Sequence, residues 1–178
     1  MSCLWRFTLA TTNQDSLYIV WQNDSLNDSV IVDAYNKYVW QGFLFSKPDS
    51  AFFLAKNLIT FGAEFGCPRA TALGYNTQGV SRSLRGNFVE ALHYYIKYEG
   101  IYARIEDKRG LAKSHNNIAN VYYSQGEYPK ALKYYTKSLE AYQYLNDEKG
   151  IATVLNNIGN IYSEQGDLKM HCCIIIGA

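Results

Sequence analysis

The chain repeats itself at a fixed interval of 40 residues, and this interval restricts the possible folds more than any other feature of the sequence. Gly110-Leu111-Ala112, followed by Asn116-Asn117-Ile118-Ala119-Asn120-Val121-Tyr122, returns as Gly150-Ile151-Ala152, followed by Asn156-Asn157-Ile158-Gly159-Asn160-Ile161-Tyr162. Both blocks end on the same punctuation, Ser124-Gln125-Gly126-Glu127 and Glu164-Gln165-Gly166-Asp167. One step back, Ala112, Asn116, Ala119, Gly126, Ala131, Leu132 and Tyr135 map onto Ala72, Asn76, Gly79, Gly86, Ala91, Leu92 and Tyr95. A second step reaches Asn36, Ala51, Phe52, Leu54 and Ala63, with Ser46-Lys47 in place of the later glycine turn. A period of this length marks supersecondary units that bury their apolar faces only by stacking on one another.

Within a unit, the apolar spacing is helical. Ile118, Tyr122, Ala131, Leu132, Tyr135 and Leu139 recur at intervals of three and four, a stripe on each of two helices. First helices are expected near 30–44, 70–85, 110–125 and 150–165, and second helices near 49–65, 88–106 and 128–147. Glycine in the left-handed conformation closes the later first helices, and Pro48 and Pro129 open second helices where a missing N–H does no harm. Gly66-Cys67-Pro68, Asp107-Lys108-Arg109-Gly110 and Asp147-Glu148-Lys149-Gly150 read as connectors. Small residues such as Ala119 and Ala131 let helix backbones approach. Tyr94, Tyr95, Tyr134 and Tyr135 fall in the packing stripe, with hydroxyls reaching outward.

These readings define an all-α chain, an alpha-alpha superhelix of antiparallel helix pairs. Residues 30–168 form the array, with repeats at about 30–69, 70–109 and 110–149 and a partial one at 150–168. Residues 1–29 precede it as an extension: 1–12 form a loosely docked terminus, and a short capping helix from Asp15 to Trp21 starts at Asp15. Asp28 or Ser29 is expected to cap the next helix. After Leu168 the segment Lys169 to Ala178 does not continue the pattern, and reads as an irregular or truncated tail that leaves an apolar face open.

Composition removes several functions. With 48% hydrophobic and 15% aromatic residues among 178, the chain is not disordered as a whole. Seventeen basic and sixteen acidic residues give a net charge of +1 with no long run of either sign, so neither nucleic acid nor an anionic membrane is an expected partner. Cys3, Cys67, Cys172 and Cys173 have neither a disulfide framework nor metal-knuckle spacing, and read as reduced cytoplasmic thiols. Met1 to Ala10 has no secretory pattern, and no run of about 18 apolar residues offers a membrane span. The expectation is a soluble cytoplasmic protein.

Chemistry-bearing constellations are absent. His93 and His115 fall at repeat positions filled elsewhere by bulky or long side chains and read as packing residues. His171-Cys172-Cys173 are adjacent, which does not converge on a metal, so no metal or cofactor is expected. No nucleophile elbow, metalloprotease motif or phosphate loop occurs, and the chain reads as a non-enzyme. The candidate binding residues lie on the first helices. Steps of three, four and three from Lys113 reach Asn116, Asn120 and Tyr123, and the next unit repeats the row as Thr153, Asn156, Asn160 and Ser163. Asn76 begins the row earlier, with Leu73 and Val80 interrupting it. Carboxamides both donate and accept, which suits the backbone of an extended peptide. The same asparagines could instead bridge neighbouring helices, the role assigned to Asn117 and Asn157.

The run Asn117-Ile118-Ala119-Asn120-Val121-Tyr122-Tyr123-Ser124-Gln125-Gly126-Glu127-Tyr128-Pro129-Lys130-Ala131-Leu132-Lys133-Tyr134-Tyr135 resembles a tetratricopeptide repeat of the long, roughly 40-residue variety. It is similar to the repeats of kinesin light chains and of scaffold proteins that orient mitotic spindles. The opening part, from Trp40 to Ala51, resembles the sensor half of bacterial signalling proteins that join such repeats to a cyclase or histidine kinase. The resemblance implies a protein-interaction module whose first helices line a concave surface. Family members that hold a terminal carboxylate use a lysine and an asparagine on the first helix and basic residues two units on; Val80 and Thr153 break that scheme here. The leading expectation is a protein or peptide ligand on the concave face. The alternatives are a homodimer through the open C-terminal end, and a regulatory piece of a bacterial signalling enzyme.

Overall fold

The computed structural model describes residues 13–23 and 25–167, and among these there are helices and turns but no strands. The helices are α1 (Asn13–Trp21), α2 (Asp28–Val39), α3 (Pro48–Glu64), α4 (Pro68–Leu84), α5 (Phe88–Arg104), α6 (Lys108–Ser124), α7 (Tyr128–Tyr144) and α8 (Glu148–Glu164). A π-helical turn, Trp40–Leu44, prolongs α2. The chain divides after Asn87 into two compact units.

The 40-residue period is two equal steps. From α2 onward a helix begins every 20 residues, and α3 to α8 are each 17 residues long. Each three-residue turn holds one left-handed residue: Gly66, Gly86, Glu106, Gly126, Asn146 and Gly166 have φ of 62, 72, 55, 74, 50 and 76°. The following N–H reaches back five residues, as in Asn87 to the Arg82 carbonyl at 2.9 Å and Glu127 to that of Tyr122 at 2.9 Å. This is the Schellman closure, which satisfies carbonyls orphaned at a helix end. Ser46 occupies the corresponding place in the first turn; there the π turn Trp40–Leu44 comes before it, and the Lys47 N–H reaches back only four residues, to the Phe43 carbonyl at 2.7 Å.

Several helix starts differ from those read in the sequence, because caps lie outside the apolar stripe. Asp107 and Asp147 accept from the Gly110 and Gly150 N–H groups at 3.0 and 3.1 Å, so Lys108–Gly110 and Glu148–Gly150 are first helical turns and not connectors. Asn27, rather than Asp28 or Ser29, caps α2 by accepting from the Ser29 N–H at 2.8 Å. Helix α1 begins at Asn13, which places Asp15 inside it. The terminus at 1–12 and the tail at 169–178, with its expected open face, lie outside the described residues.

In the first unit, α1 lies against α2 and α3. The Trp21 ring, 8% exposed, sits 4.3 Å from Tyr35 and 5.1 Å from Phe61 between centroids. Tyr35 is fully buried, donates its hydroxyl to the Leu54 carbonyl at 3.2 Å and accepts from Asn57 at 2.6 Å, so its polar end is satisfied. Helices α3 and α4 run antiparallel, tied by Ser81 to the Pro48 carbonyl at 2.6 Å and by Gln78 to that of Phe52 at 3.4 Å. They approach closely because Gly74 faces Ile59 and the Ala55 carbonyl, where an added Cβ would sit at 2.6 and 2.8 Å.

In the second unit, Ala112, Ala119 and Ala131 are fully buried between α6 and α7, as the small-residue pattern predicts. Ser138 donates to the Ala112 carbonyl at 2.7 Å across that crossing. Tyr95 and Tyr135 are core residues, whereas Tyr94 and Tyr134 are half-buried. Contrary to the sequence reading, the Tyr135 hydroxyl does not reach for solvent but donates to Asn120 Oδ1 at 2.6 Å. Tyr102 and Tyr142, which are also buried, lie flat against Gly110 and Gly150, so a large residue on one helix fills the space left by glycine on the next. The first unit reverses sides: Gly62 of α3 stands 40 residues before Tyr102 and meets Thr71 of α4.

Candidate functional site

The candidate face is built on α6 and α8. Lys113 and Asn120 are exposed on α6, with Asn116 and Tyr123 half-buried between and beyond them. On α8, Thr153, Asn156, Asn160 and Ser163 are all exposed. The two helices are joined at this face by Asn157, whose amide donates to Asn116 Oδ1 at 3.0 Å, and at its edge by the Arg109–Asp147 ion pair at 3.4 Å.

These hydrogen bonds orient the amides. Asn120 Oδ1 is taken by the Tyr135 hydroxyl and Asn116 Oδ1 by Asn157, so each turns its NH2 group away from the bond that holds it. With the Lys113 ammonium on the same face, α6 presents a row rich in donors. Thr153 donates its hydroxyl to the Lys149 carbonyl of its own helix at 2.8 Å, leaving oxygen lone pairs outward. The Tyr123 phenol is held above the ordinary tyrosine range by burial, by the Glu164 carboxylate and by Tyr128, so it stays protonated.

Asn76 lies on α4, in the first unit, and is 8% exposed. The amide bridge does recur there in another form. Thr77 donates to Asn36 Oδ1 at 3.4 Å, a pair 41 residues apart like Asn157 and Asn116, and Trp40 Nε1 donates to Thr77 at 2.8 Å. Asn157 therefore has the bridging role read for it, and Asn116 is its partner.

His93 is exposed beside Tyr94, at 5.3 Å between ring centroids. His115 is more than filler: its Nε2 meets Glu99 Oε1 at 3.0 Å between α6 and α5, with side chains 15% and 30% exposed. Alignment by the repeat could have found this pair, since Glu99 and His115 match Leu139 and Leu155 one repeat later. Among the described residues, no three His, Cys, Asp or Glu side chains gather as metal ligands, and no helix is long and apolar enough to cross a membrane.

Comparison with known proteins agrees with this architecture. No curated protein matches the chain. Among solved structures, the crystal structure of BtubC (BKLC) from P. vanneervenii superposes with a TM-score of 0.63 at 22% identity. That match covers 82% of this chain and 57% of the BtubC chain, so this chain spans little more than half of that protein's length. At this identity the likeness speaks to the fold alone. Residues 68–143 and 110–170, together more than half of the sequence, match the family described as tetratricopeptide repeat. The 20-residue helix pacing, the paired helices and this match together establish that the chain belongs to the tetratricopeptide repeat family.

Proposed function

We propose that the α6–α8 face binds an extended peptide segment of a partner protein, with Lys113, Asn116, Asn120, Tyr123, Thr153, Asn156, Asn160 and Ser163 as the contact residues. Tetratricopeptide repeats generally mediate protein–protein interaction, and the family match supports that coarse role. The single observation that carries the finer reading is the orientation of the two α6 amides. Their oxygens are engaged by Tyr135 and Asn157, and their NH2 groups join the Lys113 ammonium as donors. A row of donors fits a ligand that offers acceptors, and an extended backbone offers a carbonyl at every residue. Because packed partners hold the amides, little side-chain freedom is lost on binding.

A library of extended peptides displayed against the full chain tests this reading. Peptides selected by the wild type are expected to lose tenfold or more in affinity on Asn120→Ala together with Lys113→Ala, with the helical signal unchanged. Selected peptides that bind the double variant equally well would place the ligand elsewhere. The partner is a protein, its contact is cytoplasmic, and no cofactor enters the interaction.

A further inference from the structure

The second unit contains two seams of the same construction. Helix α5 closes on α6 and helix α7 closes on α8, each with a tyrosine against a glycine, Tyr102 on Gly110 and Tyr142 on Gly150. Each seam starts from an aspartate cap, Asp107 or Asp147. Buried Tyr95 and Tyr135 occupy matching places, as do Ile118 and Ile158. Nearly interchangeable surfaces invite α5 to close on α8, within one molecule or from another, and such misassembly is the characteristic failure of repeat proteins.

One polar pair separates the seams. Glu99 and His115 meet at 3.0 Å where Leu139 and Leu155 stand in the second seam. The imidazole has a single polar tie, since its Nδ1 is buried and has no hydrogen-bond partner. Tyr134 and Lys137 of α7 also face this pair, the Tyr134 ring at 6.1 Å from the imidazole and Lys137 as a cation that favours the Glu99 carboxylate. We propose that the Glu99–His115 pair is a register lock that admits α5 to α6 and refuses it to α8. Closing α5 on α8 would set the carboxylate against Leu155 and leave it partly buried without a partner, while His115 would lose its one polar contact. A polar contact among apolar equivalents is the device by which coiled helices fix their register, and it acts here through the penalty on wrong pairing more than through its own stability.

The test is refolding of the full chain from urea over a range of protein concentrations, with the dimer and larger species measured by light scattering after size separation. Glu99→Leu together with His115→Leu makes the seams alike. This variant is expected to melt no lower than the wild type, yet to yield a swapped fraction several-fold larger that grows with concentration. Adding Leu139→Glu and Leu155→His moves the lock to the other seam and is expected to restore the wild-type fraction. The proposal is overturned if the double variant refolds as cleanly as the wild type, if the transposed variant is no cleaner than the double, or if the double does not fold.

Discussion

Gly110 lies so close under the Tyr102 ring that a Cβ on it would stand 2.2 Å from two ring carbons, and Gly150 repeats the arrangement under Tyr142 at 2.3 Å. Gly100, in the middle of α5, has nothing within 4 Å of the same hypothetical atom. Of Gly110 and Gly100, ten residues apart, the first fills a place that a side chain could not share with Tyr102, and the other faces open space.

Gly110→Ala forces the Tyr102 ring or the seam itself to shift, and is expected to destabilise by about 1–3 kcal/mol in urea unfolding. Gly100→Ala adds a methyl to open space on an exposed helix and is expected to stabilise by about 0.5–1 kcal/mol. Equal effects from the two substitutions would contradict the packing described.

The left-handed turn residues give a second pair. Glu106 has φ of 55° and carries a Cβ that this conformation disfavours, so Glu106→Gly should raise the urea midpoint by the equivalent of about 1 kcal/mol. Gly126→Ala, at φ of 74°, should lower it by a similar amount. Matching equilibrium unfolding curves check both signs.

Glu99 governs the acid side of stability. Its hydrogen bond from His115, and then the positive charges of His115 and Lys137, hold its carboxyl below the ordinary range against the opposing effect of burial. The folded state therefore binds this proton less readily than the unfolded chain. Its contribution is complete above the ordinary carboxylate range, about 4.3, and is lost as pH falls through the depressed value. Glu99→Gln is expected to flatten the stability profile over that interval, measured by urea unfolding at each pH. A profile identical to the wild type would remove Glu99 as a contributor.

Buried tyrosines govern the alkaline side. Tyr35, Tyr95, Tyr98 and Tyr135 are all pushed upward, in each case chiefly by burial. A phenol whose folded value is raised leaves stability intact below its unfolded value, about 10, and withdraws it above. The tyrosinate absorbance of these four groups is expected to rise together with loss of the helical circular-dichroism signal. Full ionisation of all 16 tyrosines with the helical signal retained would contradict their burial.

The repeat made the helices legible because the apolar stripe and the terminal glycines carry most of the information about where a helix lies and ends. Ala119 and Ala131 were readable as crossing points for the same reason. The first turns at Lys108 and Glu148 were not readable, because a capping aspartate and a charged first turn look like a polar connector. After the π turn at Trp40–Leu44, Ser46 stands where the later first helices have glycine, which marks an irregular turn without saying which one. At the candidate face, helical spacing was enough to align Lys113 with Asn120. It could not assign Tyr135 to Asn120, a contact between helices that depends on their crossing. The Glu99–His115 pair becomes legible only when both residues are aligned with Leu139 and Leu155 and then set opposite one another, because neither change alone marks a contact.

The even pacing of the helices has a consequence for how such a chain can change. With a new helix every 20 residues from α2 onward and only three residues in each turn from α3 to α8, there is no slack to absorb an altered count. Deleting one residue inside α6 would rotate every later side chain of that helix by about 100°, carrying Ile118 and Ala119 off the buried stripe. Lengthening by a whole helix pair would leave each face where it was. Growth and loss in this lineage are therefore tolerable in doublets of helices and ruinous in single letters.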